Sequence, residues 1–467
     1  MQQPMHGQDG PKAKIKLASL NIKGRRSGDI DKWLHIPQIM RENNIGVLAV
    51  QETHLTDELA EQFANLFGNN FTLFHSPDPH TSNARGVAII LNKKLINPAN
   101  VNVTVIIPGR ALTANIPWHE DNNLNILVVY LPNAPGDIKN FWCTIQDHVS
   151  LSSNPRLNIM LGDFNLVEDA LDRLPCKSDN HRATTALKRF RDANKLIDGW
   201  RTAHPEEKGY TWMRESDGTQ SRIDRIYIHE DFFSDCKSWN IHHPPIPTDH
   251  DMVSAEIATP TSPLIGKGRW AIPTRLLKNN SIKREIQKLG TELEVKLHTL
   301  NERTRGKNPQ MMLREFKNKT LQTLREYERK TQLIIKAKIA KLSADLTNIR
   351  NRTDIPEDKI KITSVHIKKQ IQCLVKETHQ HNRDRLAAIN AAEGEKIGKT
   401  WSNRHKTSKP RDTIKRLKTS LNETTTNSKK MAEIAAKYHH DLQYADHPPH
   451  YPLVTQKLNK ILRLTKT

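Results

Sequence analysis

Between Lys14 and Ile257 the chain repeats one pattern: a short, nearly unbroken apolar run that stops at a polar residue. The runs are Ile15 to Leu20, Val47 to Val50, Gly86 to Leu91, Val101 to Ile107, Leu124 to Leu131, Leu157 to Leu161 and Ile223 to Ile228. They are too short for typical helices and too continuous for half-exposed strands, so they predict strands covered on both faces. Thr56 to Phe67 and Thr184 to Leu196 have helical character and lie between them. Strands mixed with helices over such a length predict an α/β domain at 14–258, preceded by a polar, disordered segment at 1–13.

The rest of the chain reads differently. Thr259 to Pro273 collects proline and glycine, which predicts a linker over 259–280. Beyond it, Ile282, Ile286, Leu289, Leu293, Leu297 and Leu300, and then Ile335, Ile339, Leu342, Leu346 and Ile349, advance in steps of three and four. That period predicts amphipathic helices over 281–395, whose stripes serve as packing seams, with coiled-coil pairing as the alternative. Residues 396–467 are basic and weakly patterned, so a partly disordered tail is expected there. Charge divides at the same place. Residues 1–260 hold 27 Lys and Arg against 31 Asp and Glu; residues 261–467 hold 45 against 20. A basic excess confined to one half is a footprint for a polyanion, nucleic acid before an acidic membrane surface. Cys143, Cys176, Cys236 and Cys373 stand alone, which excludes zinc-finger or disulfide-scaffold spacing and fits an intracellular protein. No apolar stretch has the length of a signal peptide or a membrane span, so a soluble protein is expected.

Chemistry is concentrated where the runs end. Asn21 follows the first, Glu52 the second, Tyr130 and Asn133 close the fifth, and Gly162-Asp163-Phe164-Asn165 ends the sixth. Asp224 opens the last, and Thr248-Asp249-His250 precedes a further apolar stretch. Strand ends are where open sheets place ligand sites. Hydrolysis of a phosphodiester needs a hard cation, a group to orient water, and donors to the phosphate oxygens. A carboxylate such as Glu52 suits Mg²⁺, Asp can position water, and His, Asn and Tyr can hold phosphate. Taken singly, each of these residues also serves as a turn, a cap or packing.

Their order carries more. Asn, Glu, Tyr, Asp-x-Asn, Asp and Asp-His in succession resembles the endonuclease/exonuclease/phosphatase superfamily, which includes deoxyribonuclease I. The likeness extends to the endonuclease domain of non-LTR (LINE-type) retrotransposons. It covers about Lys14 to Ile257 and continues weakly into Glu393 to Lys396 and Lys437 to Tyr444, which resemble the helical connector before a reverse transcriptase. The reverse transcriptase itself is missing, so a truncated element copy is expected. The resemblance implies a two-sheet β-sandwich flanked by helices, in four layers, followed by the basic helical extension. It implies Mg²⁺ or Mn²⁺ held by Glu52 with Asp249 near it, and Asn21 ordering the phosphate and the metal's water. Asp163 would orient the attacking water, Asn165 and Tyr130 would hold phosphate oxygens, and Asp224 would orient His250. The implied substrate is DNA, with RNA as a second partner, and the implied location nuclear. One position departs: abasic-site endonucleases carry an Asp two residues after the first Asn, and here it is Lys23.

Alternatives are a phosphatase or phospholipase of the same superfamily and a nucleic-acid-binding protein whose site has decayed. Gly394-Glu395-Lys396-Ile397-Gly398-Lys399-Thr400 is one residue short of a phosphate-binding loop and follows no strand. His242-His243 and His439-His440 are expected to be solvated pairs.

Overall fold

A computed structural model of the chain describes residues 14–28, 30–81, 84–118, 123–151, 156–258, 272, 276, 279–300, 302–304, 308–393, 406–407, 417–418, 424–425 and 428–444. The expected segment 1–13, most of the 259–280 linker, Gly394 to Thr400 and most of the 396–467 tail lie outside them.

In chain order the strands are β1 (Ile15–Asn21), the small hairpin β2 (Arg26–Ser27) and β3 (Ile30–Asp31), β4 (Val47–Gln51), β5 (Phe71–Ser76), β6 (Val87–Asn92), β7 (Asn102–Ile107), β8 (Ala111–Pro117) and β9 (Asn123–Tyr130). There follow β10 (Ile159–Asp163), β11 (Arg173–Leu174), β12 (Leu196–Asp198), β13 (Trp212–Met213), β14 (Gln220–Ser221), β15 (Asp224–His229), β16 (Cys236–His242) and β17 (Met252–Ile257). One sheet has the order β16-β17-β1-β4-β6-β5 and a second the order β12-β15-β10-β9-β8-β7. Each contains one parallel pair, β1 with β4 and β9 with β10; the other neighbours run antiparallel.

The sheets pack face to face. Leu17, Ala49 and Ile89 of one meet Val128, Leu161 and Ile226 of the other in an apolar core. The alternate residues Ala18, Leu48 and Val50 point outward under α1 (Ile36–Glu42) and α2 (Asp57–Phe67). Leu127, Val129 and Met160 do the same under α3 (Pro135–Val149) and α4 (His181–Ala193); the short α5 (Gly199–Ala203) closes the edge at β12 and β15. Both faces of the central strands are covered, which is why their sequences are continuously apolar. The result is the expected four-layer α/β sandwich. β7 departs from the expectation of burial. It is an edge strand with Val105 44% exposed, and its apolar composition reflects β-propensity rather than burial.

Helices α6 (Asn280–His298), α7 (Pro309–Asn351) and α8 (Glu357–Glu393) follow, α6 packing on α7 and α7 on α8. The described residues within 14–260 and 269–411 form one compact unit. The hairpin of β18 (Leu417–Lys418) with β19 (Thr424–Thr425) and helix α9 (Ser428–Tyr444) belong to another. Among the described residues no helix is long and apolar enough to cross a membrane.

Candidate active site

Strand register brings the sequence candidates to one end of the sandwich. Asn21 closes β1 opposite Gln51 of β4, and Glu52 follows. Asp163 closes β10 opposite Tyr130 of β9 on one side and Asp224 of β15 on the other. Asn21 then ties the two sheets together: its Nδ2 donates to Glu52 Oε1 at 2.9 Å and to Asp163 Oδ2 at 2.8 Å. The Tyr130 hydroxyl donates to the same Glu52 oxygen at 3.2 Å. Asn165 donates its backbone N–H to Asp163 Oδ1 at 2.9 Å and its side-chain amide to the Leu131 carbonyl at 2.8 Å.

The backbone is shaped for these contacts. Gly162 has a φ of +153°, and a Cβ there would lie 1.9 Å from the Val129 carbonyl oxygen, so only glycine lets β10 close on β9 just before Asp163. Lys23, Glu52, His54 and Asn165, in the loops after β1, β4 and β10, all hold φ between +46° and +50°. Left-handed backbone at non-glycine residues costs about 1–3 kcal/mol each and gathers at functional sites.

The second half of the site comes from the turn before β17. His250 Nδ1 lies 2.9 Å from Asp224 Oδ2, and its Nε2 lies 3.9 Å from Asp249 Oδ1. Thr248 Oγ1 donates to the Asn21 carbonyl, and the buried Thr211 Oγ1 accepts from the N–H groups of Ile223 and Asp224. Asp249 Oδ2 accepts from Lys23 Nζ at 2.8 Å and from the Trp212 indole at 3.1 Å. All eight expected residues, Asn21, Glu52, Tyr130, Asp163, Asn165, Asp224, Asp249 and His250, therefore join one connected region. Lys23, Lys32, Thr211 and Trp212 belong to it too. No alternating or strand-end signal in the sequence marks Lys32, which follows the two-residue β3, Thr211, which precedes β13, or Trp212, which opens that two-residue strand. Buried Lys32 donates to the carbonyls of Ile22 and Lys23, under Glu52 and Asp249.

Electrostatics follow from burial and crowding. Burial, and then the neighbouring Asp224, push the Asp163 carboxyl up to about 7. Burial opposes charge on His250, but Asp224 beside it outweighs this and, with Asp163 and Asp249, raises the imidazole to about 9. Burial and then Glu52 hold the Tyr130 phenol above its ordinary range. Burial works against the Asp249 carboxylate, yet the hydrogen bond from Lys23 leaves its pKa lowered.

The donor set suits a hard divalent cation, being mostly carboxylate oxygen. Oδ1 of Asp224 and Oδ1 of Asp249 are buried acceptors with no hydrogen-bond partner. Asp163, Asp224 and His250 present ligand atoms within 4.8 Å of one another. Glu52 is linked to that group through Asn21, and Asp249 adjoins His250 in the chain. Away from this end, His243 is not the solvated residue its sequence suggests: its side chain is 8% exposed and bonds Asp251 at 2.9 Å. His439 and His440 are exposed.

Residues 18–250 match the Endonuclease/Exonuclease/phosphatase family. A Xenopus laevis protein described as the transposon TX1 uncharacterized 149 kDa protein is 27% identical over 276 residues, which are 58% of this chain and 20% of that protein. The chain thus spans about a fifth of that relative. Among solved structures, the AP endonuclease LMAP from Leishmania major is 16% identical with a TM-score of 0.45, over 53% of this chain and 89% of that one. The endonuclease domain of TRAS1, a telomere-specific non-LTR retrotransposon, is 15% identical with a TM-score of 0.40, over 53% of this chain and 99% of that one. Through residues 18–250, the chain belongs to the endonuclease/exonuclease/phosphatase family.

Proposed function

We propose that residues 14–258 are a divalent-metal-dependent endonuclease that nicks duplex DNA, in a protein of transposon origin. The observation that carries this reading is the joining of Glu52, Asn21 and Asp163 on one side with Asp224 and His250 on the other, at one end of the sandwich. The likeness to a protein named for a transposon supports the origin, and the basic excess after residue 260 supports a nucleic-acid substrate.

Mg²⁺ or Mn²⁺ held by Glu52 and Asp249 would supply charge neutralisation at the scissile phosphate. Asp163 orients water: each of its oxygens accepts one hydrogen bond and retains a lone pair for another. His250 is cationic through the neutral range and pinned through Nδ1 by Asp224, so its Nε2–H is free to donate to a phosphate oxygen. The second amide hydrogen of Asn165 is a further donor to that oxygen set, and the Tyr130 hydroxyl, whose one hydrogen goes to Glu52, would join it by exchanging that bond for a phosphate oxygen.

Supercoiled plasmid incubated with the full chain and Mg²⁺ should give open circles, and none with a chelator. Glu52→Ala, Asp163→Ala and His250→Ala should each slow nicking by about 10²-fold or more while the protein stays folded. Near-normal nicking by Asp163→Ala in a preparation free of contaminating nuclease would overturn the assignment.

A further inference from the structure

Helices α7 and α8 reach the turn that carries His250 from behind. Lys368, in the middle of α8, has a side chain only 4% exposed, and its Nζ lies 3.0 Å from Asp251 Oδ2. Asp251 follows His250 directly; it is itself buried, takes His243 Nδ1 on its other oxygen at 2.9 Å, and donates its backbone N–H to the Thr211 carbonyl at 2.6 Å. A lysine is almost never buried unless it is paired, so this one is committed to its carboxylate. Arg350, at the end of α7, does the same on the other side. It is 7% exposed, donates from Nη2 to the fully buried Gln220 Oε1 at 2.5 Å, and lies 5.1 Å over the Tyr210 ring.

The two contacts are connected through the site. Gln220 and Ser221 of β14 pair with Met213 and Trp212 of β13. Trp212 in turn bridges the backbone of His250 and donates its indole N–H to Asp249. The path runs from α8 through Lys368 to Asp251, along the turn to His250 and Asp249, across Trp212 to β14, and back through Arg350 to α7. Ile360 of α8, packed on Leu174 and Tyr210, seals the same contact with apolar surface.

We propose that α7 and α8 are a clamp on the active site, with Lys368 and Arg350 acting as positioning residues that hold the Asp249-His250-Asp251 turn against the β13–β14 hairpin. The inference deepens the nuclease reading and rests on it for its catalytic consequence, but the geometry it describes does not. Neither residue touches the reacting atoms; each acts through backbone and side chains that do. Displacing a catalytic group by a fraction of its hydrogen-bond reach is enough to slow a reaction strongly without changing what binds.

The test is Lys368→Met in the full chain. Nicking should fall in kcat by about tenfold or more with KM within about twofold, and Lys368→Arg, which keeps the charge beside a cavity of about 1350 Å³, should recover most of it. In the same samples, amide hydrogen exchange at residues 211–213 and 249–252 should quicken in Lys368→Met and stay slow in Lys368→Arg, with β9 and β10 unchanged. If the single variant fails to fold, Asp251→Asn with Lys368→Met, which leaves no buried charge unpaired, carries the same exchange measurement. Exchange at both segments equal to the unaltered protein would overturn the clamp. A protein that never nicks DNA would sink the nuclease reading, and the exchange arm would still decide the clamp.

Discussion

At the scale of single residues, the departure from the abasic-site endonucleases at Lys23 has a physical consequence. Its ammonium sits on Asp249 Oδ2, an oxygen of the carboxylate assigned here to hold the metal. Lys23 is 61% exposed, so the pair contributes little to stability, about 1 kcal/mol at most. Lys23→Ala should therefore leave thermal unfolding nearly unchanged while lowering the Mg²⁺ concentration for half-maximal nicking, since one carboxylate no longer serves two cations. An unaltered Mg²⁺ midpoint would show that Asp249 takes no part in holding the ion. Gly162 gives the opposite balance. A methyl group 1.9 Å from a backbone oxygen must force β10 away from β9, so Gly162→Ala should cost more than about 3 kcal/mol in urea denaturation and abolish activity with it.

At the scale of elements, the seat of α8 on α1 rests on imidazoles. His35 Nδ1 lies 3.1 Å from His379 Nε2, and His379 Nδ1 lies 3.1 Å from Glu42. Burial, then Arg383 and His379, lower the His35 pKa to about 4 from its ordinary 6.5. The folded state thus favours neutral His35, and stability is lost as pH falls from about 6.5 to about 4, where the unfolded chain binds the proton first. Melting temperatures over that window should decline in the full protein and decline less in His35→Asn. The central strands and the residues at their ends were readable in the sequence because full burial on both faces leaves a continuous apolar run, and the run stops where the site begins. β5, β8 and β16 escaped notice because their apolar residues are diluted by Thr, Asn, His and Lys at positions of partial exposure. Asp163 and Asp224 could be named but not seen to be neighbours, since their pairing depends on the register of two strands distant in the chain. Lys368 had no signal at all: a lysine on a basic amphipathic helix reads as solvated until the partner across the fold is known.

At the scale of the whole molecule, the three large apolar clusters of the sandwich are built entirely from residues 15–257, so this part has the core it needs to fold by itself. Its charge is slightly negative, whereas the remainder carries 45 basic against 20 acidic residues. Residues 259–467 should accordingly supply most of the nonspecific affinity for DNA, each neutralised phosphate adding about −0.9 to the slope of log K against log salt. Titrations of the full chain and of residues 1–258 at several salt concentrations measure the difference; equal slopes would mean that the basic half serves some other partner. The Pro- and Gly-rich stretch at 259–273 looks like a natural cutting point, yet the Lys368–Asp251 and Arg350–Gln220 contacts span it. Anyone transplanting the sandwich into a chimeric nickase at that point would leave behind the ammonium that Asp251 was built to meet. A donor fragment running to the end of α8, or an Asp251→Asn graft, would keep the transplanted turn in the electrostatic company it evolved with.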